Sequence, residues 1–337
     1  MDGTLKTKRV TLKAVAKAAG VSLPTASQIL NNKANNYCSE EKKRLVRRVA
    51  RELNYQPNFG YKVMCGHKTN TVGLVCSKVD FFQEEHIKDL LLTLMIKFET
   101  LGYSVYTSSL SESAKKNTQK ISSLINRGCS AFVFLGIPVG EKQLENMCIE
   151  SNVSYVFYGQ YTFKRMIAVD SSYAVRCYIE DFLKDGRDNF KIVTYPDVKD
   201  LRLKGLLEYF RDIPDEQLIK KYVCPVGYGT FDEIEPIFTT GYEKTKELIE
   251  NDPDINGIIY RNDRFALGGA KYLSEHGYKI GKDIKICGYN NSEAVMLAPW
   301  PVNTADHNAD AVCKAITENL FKPEPFNIVV KPKVILK

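Results

Sequence analysis

The chain has 337 residues, 44% hydrophobic and 26% charged, which excludes a disordered or fibrous protein and calls for two or three compact units. Residues 1–10 are polar and basic with no signal-peptide apolar stretch, and no apolar run reaches membrane-spanning length. A cytoplasmic, nucleoid-associated protein with no membrane partner is therefore expected. The formal charge of +7 is unevenly shared: residues 1–69 hold 14 Lys/Arg against 4 Asp/Glu, and the rest hold 33 against 36. A basic head of this kind binds a polyanion, and it is joined to a near-neutral body. The nine cysteines form no C-x-x-C pair and the four histidines are dispersed, so no disulfide framework, metal site or other cofactor is expected.

From Thr11, the apolar residues Leu12, Val15, Ala16 and Ala19 share one helical face, and Gly20 stands where a left-handed C-cap is wanted. Ser22 is the candidate N-cap of a second helix with Pro24 in its first turn. That helix turns Ala26, Ile29 and Leu30 inward and Leu23, Pro24, Thr25, Ser27 and Gln28 outward. Two short helices joined by a tight glycine turn predict a helix-turn-helix. Ser39, Glu40 and Glu41 open a third helix, with Leu45, Val46, Val49, Ala50 and Leu53 on its apolar face. Its opposite face carries Lys43, Arg44, Arg47, Arg48 and Arg51, suited either to phosphates or to solvent.

The runs VTLKAVAKAAGVSLPTASQILN and SEEKKRLVRRVARELNYQPN resemble the headpiece of the lactose-repressor (LacI/GalR) family. The resemblance rests on Thr11, Val15, Ala16, Ala19-Gly20-Val21-Ser22, Thr25, Ser27, Leu30-Asn31 and Leu53-Asn54-Tyr55-x-Pro57-Asn58. It implies DNA contacts from Thr11, Ser22, Leu23, Pro24, Thr25, Ser27, Gln28, Asn31, Ser39, Tyr55 and Asn58. Gln28 stands where the family usually has Arg. Glutamine pairs best with adenine and arginine with guanine, so the operator should differ from the common family palindrome at that base pair. Leu23 and Pro24 hold the variable reading positions, where thymine-methyl contact is expected to replace hydrogen bonding; simple packing is the alternative. The family's hinge falls on Tyr61, Lys62 and Met64. Lys62 suits a phosphate and Met64 a minor-groove wedge, while Tyr61 replaces a small residue where two hinge helices approach closely.

Beyond residue 70, apolar strands (TVGLVCS, YSVYTSS, SAFVFLG, SYVFYG, then FKIVTY, YVCPV, GIIYR, IKICGY) alternate with helices near 84–101, 114–126, 141–150, 172–185, 200–212, 239–250 and 263–275. The fold class expected is α/β, with two doubly wound parallel sheets side by side behind an all-α headpiece and a ligand cleft at the strands' carboxyl ends. Later landmarks continue the resemblance: Val169-Asp170, Arg202-x-x-Gly205, Gly241-Tyr242, Arg261-Asn262-Asp263-x-x-Ala266-Leu267-Gly268, the stretch 283–289 and Pro301-x-x-Thr304. They imply a two-lobed sensor of the periplasmic-binding-protein-like, type I kind. The boundaries expected are 1–56 for the headpiece, 57–69 for hinge helix and linker, and 70–337 for the effector-binding and dimerisation domain. Its first lobe takes 70–166 and 304–322, its second 167–303 and 323–337.

The resemblance implies that Arg202 and Asn262 face the effector, with Asp263 capping the next helix and Asn262 open between capping and ligand. Asn290 and Gly159 replace two aspartates of sugar-binding members. That loss of negative charge beside Arg202 favours a uronate or organic acid over a standard hexose. Phe82 and Trp300 are candidate stacking residues, while Phe81 reads as core. A homodimeric regulator on a near-palindromic operator, usually a repressor, is the function expected. An orphan regulator with a degenerate cleft, or an enzyme carrying a DNA-binding head, are the alternatives.

Overall fold

The computed structural model describes residues 10–31, 38–56, 69–78, 84–159, 163–195, 200–227 and 234–337. The chain divides into two compact units, Met1–Lys68 and Thr69–Lys337.

The first unit holds α1 (Leu12–Ala18), α2 (Leu23–Leu30) and α3 (Glu40–Glu52). Their N-caps are Thr11, Ser22 and Ser39, each accepting from the backbone three residues on. Gly20 takes φ +64°, and Val21 N–H reaches back to Ala16 O, closing α1 with the six-to-one bond of a Schellman turn. Asn54 (φ +49°) and Tyr55, whose N–H reaches Ala50 O, repeat this at the end of α3. The Leu-Asn-Tyr motif is thus a helix stop. Val15, Ala16, Ala19, Ala26, Ile29, Val46, Val49 and Ala50 form the core, with Leu30, Leu45 and Tyr55 packed at its edge and Leu53 left exposed.

In the second unit the strands run β1 (Thr71–Cys76), β2 (Ser104–Ser109), β3 (Ala131–Leu135), β4 (Ser154–Tyr158), β5 (Arg165–Val169), β6 (Phe190–Thr194), β7 (Val223–Pro225), β8 (Gly257–Tyr260), β9 (Lys285–Cys287), β10 (Thr304–Asp306), β11 (Phe326–Val330) and β12 (Lys333–Ile335). Between them lie α4 (Glu85–Thr100), α5 (Ala114–Asn126), α6 (Glu141–Glu150), α7 (Ser171–Lys184), α8 (Leu201–Tyr209), α9 (Asp215–Tyr222), α10 (Ile234–Asn251), α11 (Asp263–Glu275), α12 (Glu293–Leu297) and α13 (Ala309–Asn319). A first parallel sheet has the order β11-β5-β4-β3-β1-β2 and a second β7-β6-β8-β9. Each has apolar clusters on both faces, which is why its strands read as continuous hydrophobic runs. Antiparallel β10 and β12 complete the second lobe, where Ala305 packs in its core and Val334 against it.

The lobe boundaries differ from those expected. The crossings after Val169 and Asp306 lie three residues beyond those expected at about 166 and 303, and the last comes after Val330 instead of near 322. Residues 326–330, expected in the second lobe, are an edge strand of the first. Arg165 explains this. Its buried guanidinium donates to Tyr155 O, Asn319 O, Leu320 O, Lys322 O and Glu324 O at 2.6–3.1 Å, pinning the end of α13 so that the following strand lies against β5. In the second lobe α10 and α11 pack backbone to backbone. A Cβ on Gly241 would lie 2.2 Å from Phe265 O and one on Gly268 2.0 Å from Phe238 O, which accounts for both glycine landmarks.

Candidate DNA-reading helix and effector cleft

In α2 the residues needed locally sit at its ends. Ser22 Oγ accepts from Thr25 N–H at 3.3 Å and lies 2.7 Å from Thr25 Oγ1. Asn31 Nδ2 donates to Ser27 O at 2.9 Å. Leu23, Pro24 and Gln28 stay exposed, Leu23 at 46%, so they are not core residues of this unit. Thr11 and Ser39 are also exposed, whereas Thr25, Ser27 and Tyr55 are half-buried. On α3, Lys43 pairs with Glu40 at 2.7 Å and Arg48 with Glu52 at 3.8 Å, so part of its basic face is internally neutralised.

Between the lobes, Arg202 is the second residue of α8 and is 91% buried. Its Nε donates to Arg261 O at 2.8 Å, and its guanidinium lies 5.0 Å from the Tyr289 ring centroid. Asp200, the N-cap of α8, sits 3.7 Å from Arg202 Nη1, bonds Arg261 Nη1 and accepts from Thr194 Oγ1. Burial alone would raise the Asp200 carboxyl, but Arg202 and Arg261 hold it below the usual carboxylate value. Burial, and then Arg202, push Arg261 down to about 10.

Two histidines meet in the same region. His86 on α4 stacks on His307 with centroids 4.0 Å apart and planes at 13°. His307 Nδ1 is 3.1 Å from Tyr158 Oη, and its Nε2 is 3.1 Å from Asn290 Oδ1. One neutral tautomer satisfies both contacts, with Tyr158 O–H donating to Nδ1 and Nε2–H donating to Asn290; the proton positions are inferred from the bonding. Burial, with Arg202 nearby, holds both imidazoles neutral: His86 is pushed down to about 4 and His307 well below its ordinary value. An amide at position 290 suits a neutral His307, where a carboxylate would favour its protonation.

A family profile described as bacterial regulatory proteins, lacI family, matches residues 11–58, and a periplasmic binding protein-like domain matches 180–323. The chain is 24% identical to the ribose operon repressor of Halalkalibacterium halodurans over 83% of this chain and 80% of that protein. It is 25% identical to the regulator GalR of Escherichia coli over 94% and 92%. Among solved structures, the lac repressor dimer bound to operator and the anti-inducer ONPF shares the fold with a TM-score of 0.75, 19% identity and 97% and 98% coverage. The regulator CelR in complex with cellobiose gives 0.63, 20%, 97% and 99%. Residues 11–58 thus match the lacI family of regulatory proteins, and the chain shares the fold of the lac repressor.

With the LacI-family architecture in place, the remaining expectations resolve residue by residue. Asn262, not Asp263, caps α11: its Oδ1 accepts from Phe265 N–H at 3.1 Å. Asp263 turns inward, its Oδ2 accepting from Ser292 N–H and its Oδ1 from Thr304 Oγ1, both at 2.7 Å. Burial pushes its carboxyl up to about 6 against the pull of those donors. Trp300 is half-buried on the second lobe's core with Ile280 and Tyr278, and no described contact joins it to Arg202 or Asn290. Gly159 follows β4, and a Cβ there would lie 2.7 Å from Ile137 Cδ1, so the family's aspartate would crowd that side chain. Phe81, Phe82, Asn58, Tyr61, Lys62 and Met64 lie outside the described residues. The eight described cysteines are all free and six are buried. Among the described residues, no group of three His, Cys, Asp or Glu side chains is placed to hold a metal, and no helix is long and apolar enough to cross a membrane.

Sequence reasoning missed Asp200, Tyr158, Tyr289, His86 and His307. The two histidines are 221 positions apart, and no spacing rule could join them. Asp200 carried a signal, an N-cap residue directly before the Arg202 helix start.

Proposed function

We propose that the chain is a sequence-specific transcriptional regulator, a repressor acting as a homodimer on near-palindromic operator DNA, whose affinity for DNA is set by a sugar held between the lobes. The observation that carries the DNA reading is the outward face of α2. Leu23, Pro24 and Gln28 are exposed while Ser22 and Asn31 serve the helix ends, which leaves base edges to the first three. Thr11, Thr25, Ser27, Ser39, Tyr55 and Asn58 are proposed as phosphate or positioning contacts, with Lys62 and Met64 at the hinge. Symmetric half-sites need two headpieces. A second copy fits the outer side of the first lobe. There Leu92 and Ile96 of α4 are exposed, and a groove of about 840 Å³ runs between Ile96, Lys97 and Leu101 on one side and Cys313, Lys314 and Thr317 on the other.

Arg202, Asn262 and Asn290 are proposed as the polar wall of the effector site. The expectation of an acidic ligand loses its basis, because Asp200 supplies the negative charge that Arg202 was expected to lack. A neutral sugar is the better fit, in keeping with the relative whose name is ribose operon repressor and the CelR–cellobiose complex.

Selection of random duplexes by the full chain at fixed, near-physiological salt tests the DNA reading. A palindromic motif is expected, and enrichment of no motif would overturn it. Calorimetry with a neutral sugar and its uronate tests the ligand class, since a uronate binding more tightly would reverse it.

A further inference from the structure

Of three consecutive residues at the start of α4, two reach across to the second lobe directly and the third does so through His307. Glu84 occupies the N-cap position but makes no cap bond; its Oε1 lies 4.0 Å from Arg264 Nη1. Glu85 Oε2 accepts from the backbone N–H of Glu293 at 2.9 Å. His86 stacks on His307, which is itself bonded to Asn290. Side chains in a first helical turn usually serve their own helix, and here Glu84 and Glu85 are turned outward to the opposite lobe.

The receiving side is prearranged by one buried carboxylate. Asp263 holds Ser292 N–H and Thr304 Oγ1, so its neighbour Arg264 and the residue after Ser292, Glu293, are both set on fixed helix starts. We propose that Glu84 and Glu85, with His86 acting through His307, form a latch that joins the two lobes and that an effector entering between them must exchange or accommodate.

Two of the groups proposed to line the cleft are already bonded: Asn290 Oδ1 to His307, and Asn262 Oδ1 to its own helix. An incoming molecule exchanges these internal contacts for its own. It shifts the open–closed balance only by the difference between the two. This inference is independent of which DNA sequence or which sugar is recognised.

Hydrogen exchange on the full chain without ligand tests it. In the Glu85→Ala/His86→Ala double variant, amides at Glu293–Leu297 are expected to exchange about tenfold faster or more, with the strands Ala131–Leu135 and Gly257–Tyr260 unchanged. Equal exchange in wild type and variant overturns the latch. If those strands accelerate as well, the variant has loosened globally and the single variants decide. Glu85→Ala should then speed exchange at Glu293 and Glu85→Gln, which keeps an acceptor, should restore it; no effect of Glu85→Ala overturns the proposal. On the Glu84–Arg264 pair, Arg264→Ala should add little to Glu84→Ala, whereas fully additive effects would remove that pair from the latch.

Discussion

On α2 of the headpiece, Gln28, Leu23 and Pro24 stand exposed, while Ser22 and Asn31 bond the helix itself at its two ends. In the body, Arg202 bonds a backbone carbonyl and faces Asp200, Asn262 caps its helix, and Asn290 holds His307. The first arrangement suits a large, rigid partner that brings its own donors and acceptors to a ready surface. The second suits a small molecule that must displace contacts the protein already makes, so its affinity is a difference between two bonded states. The same contrast governs stability. The side-chain hydrogen bonds of the headpiece named above span three or four residues, whereas those of the body join segments far apart in the chain.

That contrast sets an order of expected effects. Arg165→Ala strands five buried or part-buried carbonyls between β4, α13 and β11 and should cost about 3–5 kcal/mol in urea unfolding of the body. A loss under 1 kcal/mol would break the account of why β11 joins the first sheet. Asp263→Ala leaves the buried Ser292 N–H and the Thr304 hydroxyl without their acceptor and should cost about 2 kcal/mol.

The pH dependence sharpens the same region. His86 has a folded value of about 4 against 6.5 for an ordinary imidazole, so the unfolded chain takes up the proton first. Its contribution to stability is complete above about pH 6.5 and is lost as the pH falls towards 4. Asp263 works the other way. Its folded value of about 6 exceeds the ordinary 3.8, so it penalises the fold above pH 6 and the penalty is relieved as the pH falls towards 4. The two oppose each other between pH 4 and 6. Removing Asp263 should therefore steepen the acid loss of stability by on the order of 1–2 kcal/mol across that window. A slope that does not steepen in Asp263→Asn would contradict the assignment. At the small end, Ser22→Ala removes one local cap and should cost the headpiece about 1 kcal/mol, read from its own melting transition, with the body unmoved.

Legibility in the sequence followed the same division. The headpiece was readable almost to the residue because caps, a left-handed glycine and helical periodicity are short-range signals. Leu53 is the exception: it shares the apolar period of α3 but stands at the helix stop, where the chain turns outward. In the body, the alternation of strands and helices gave the two sheets. The short strands β5, β10, β11 and β12 were lost, since three to five residues carry too little pattern. The lobe crossings depend on Arg165, whose five acceptors lie up to 159 positions away. The cleft was half legible. Arg202 and Asn262 came from motif resemblance, but the pairing of Arg202 and Arg261 with Asp200, and the His86–His307 stack, are products of the fold. An aromatic between two prolines at a crossover, as Trp300 is, fits a stacking role and an edge-of-core role equally well, and its sequence position does not choose between them.

The most direct test of the regulator account is duplex selection carried out in parallel with the wild-type chain and Gln28→Arg at one salt concentration. The account predicts the same palindrome from both, with adenine exchanged for guanine at a single symmetric position in each half-site and a discrimination of about 1–3 kcal/mol there. An identical motif from both proteins, or none from either, would contradict the assignment of α2 as the reading helix.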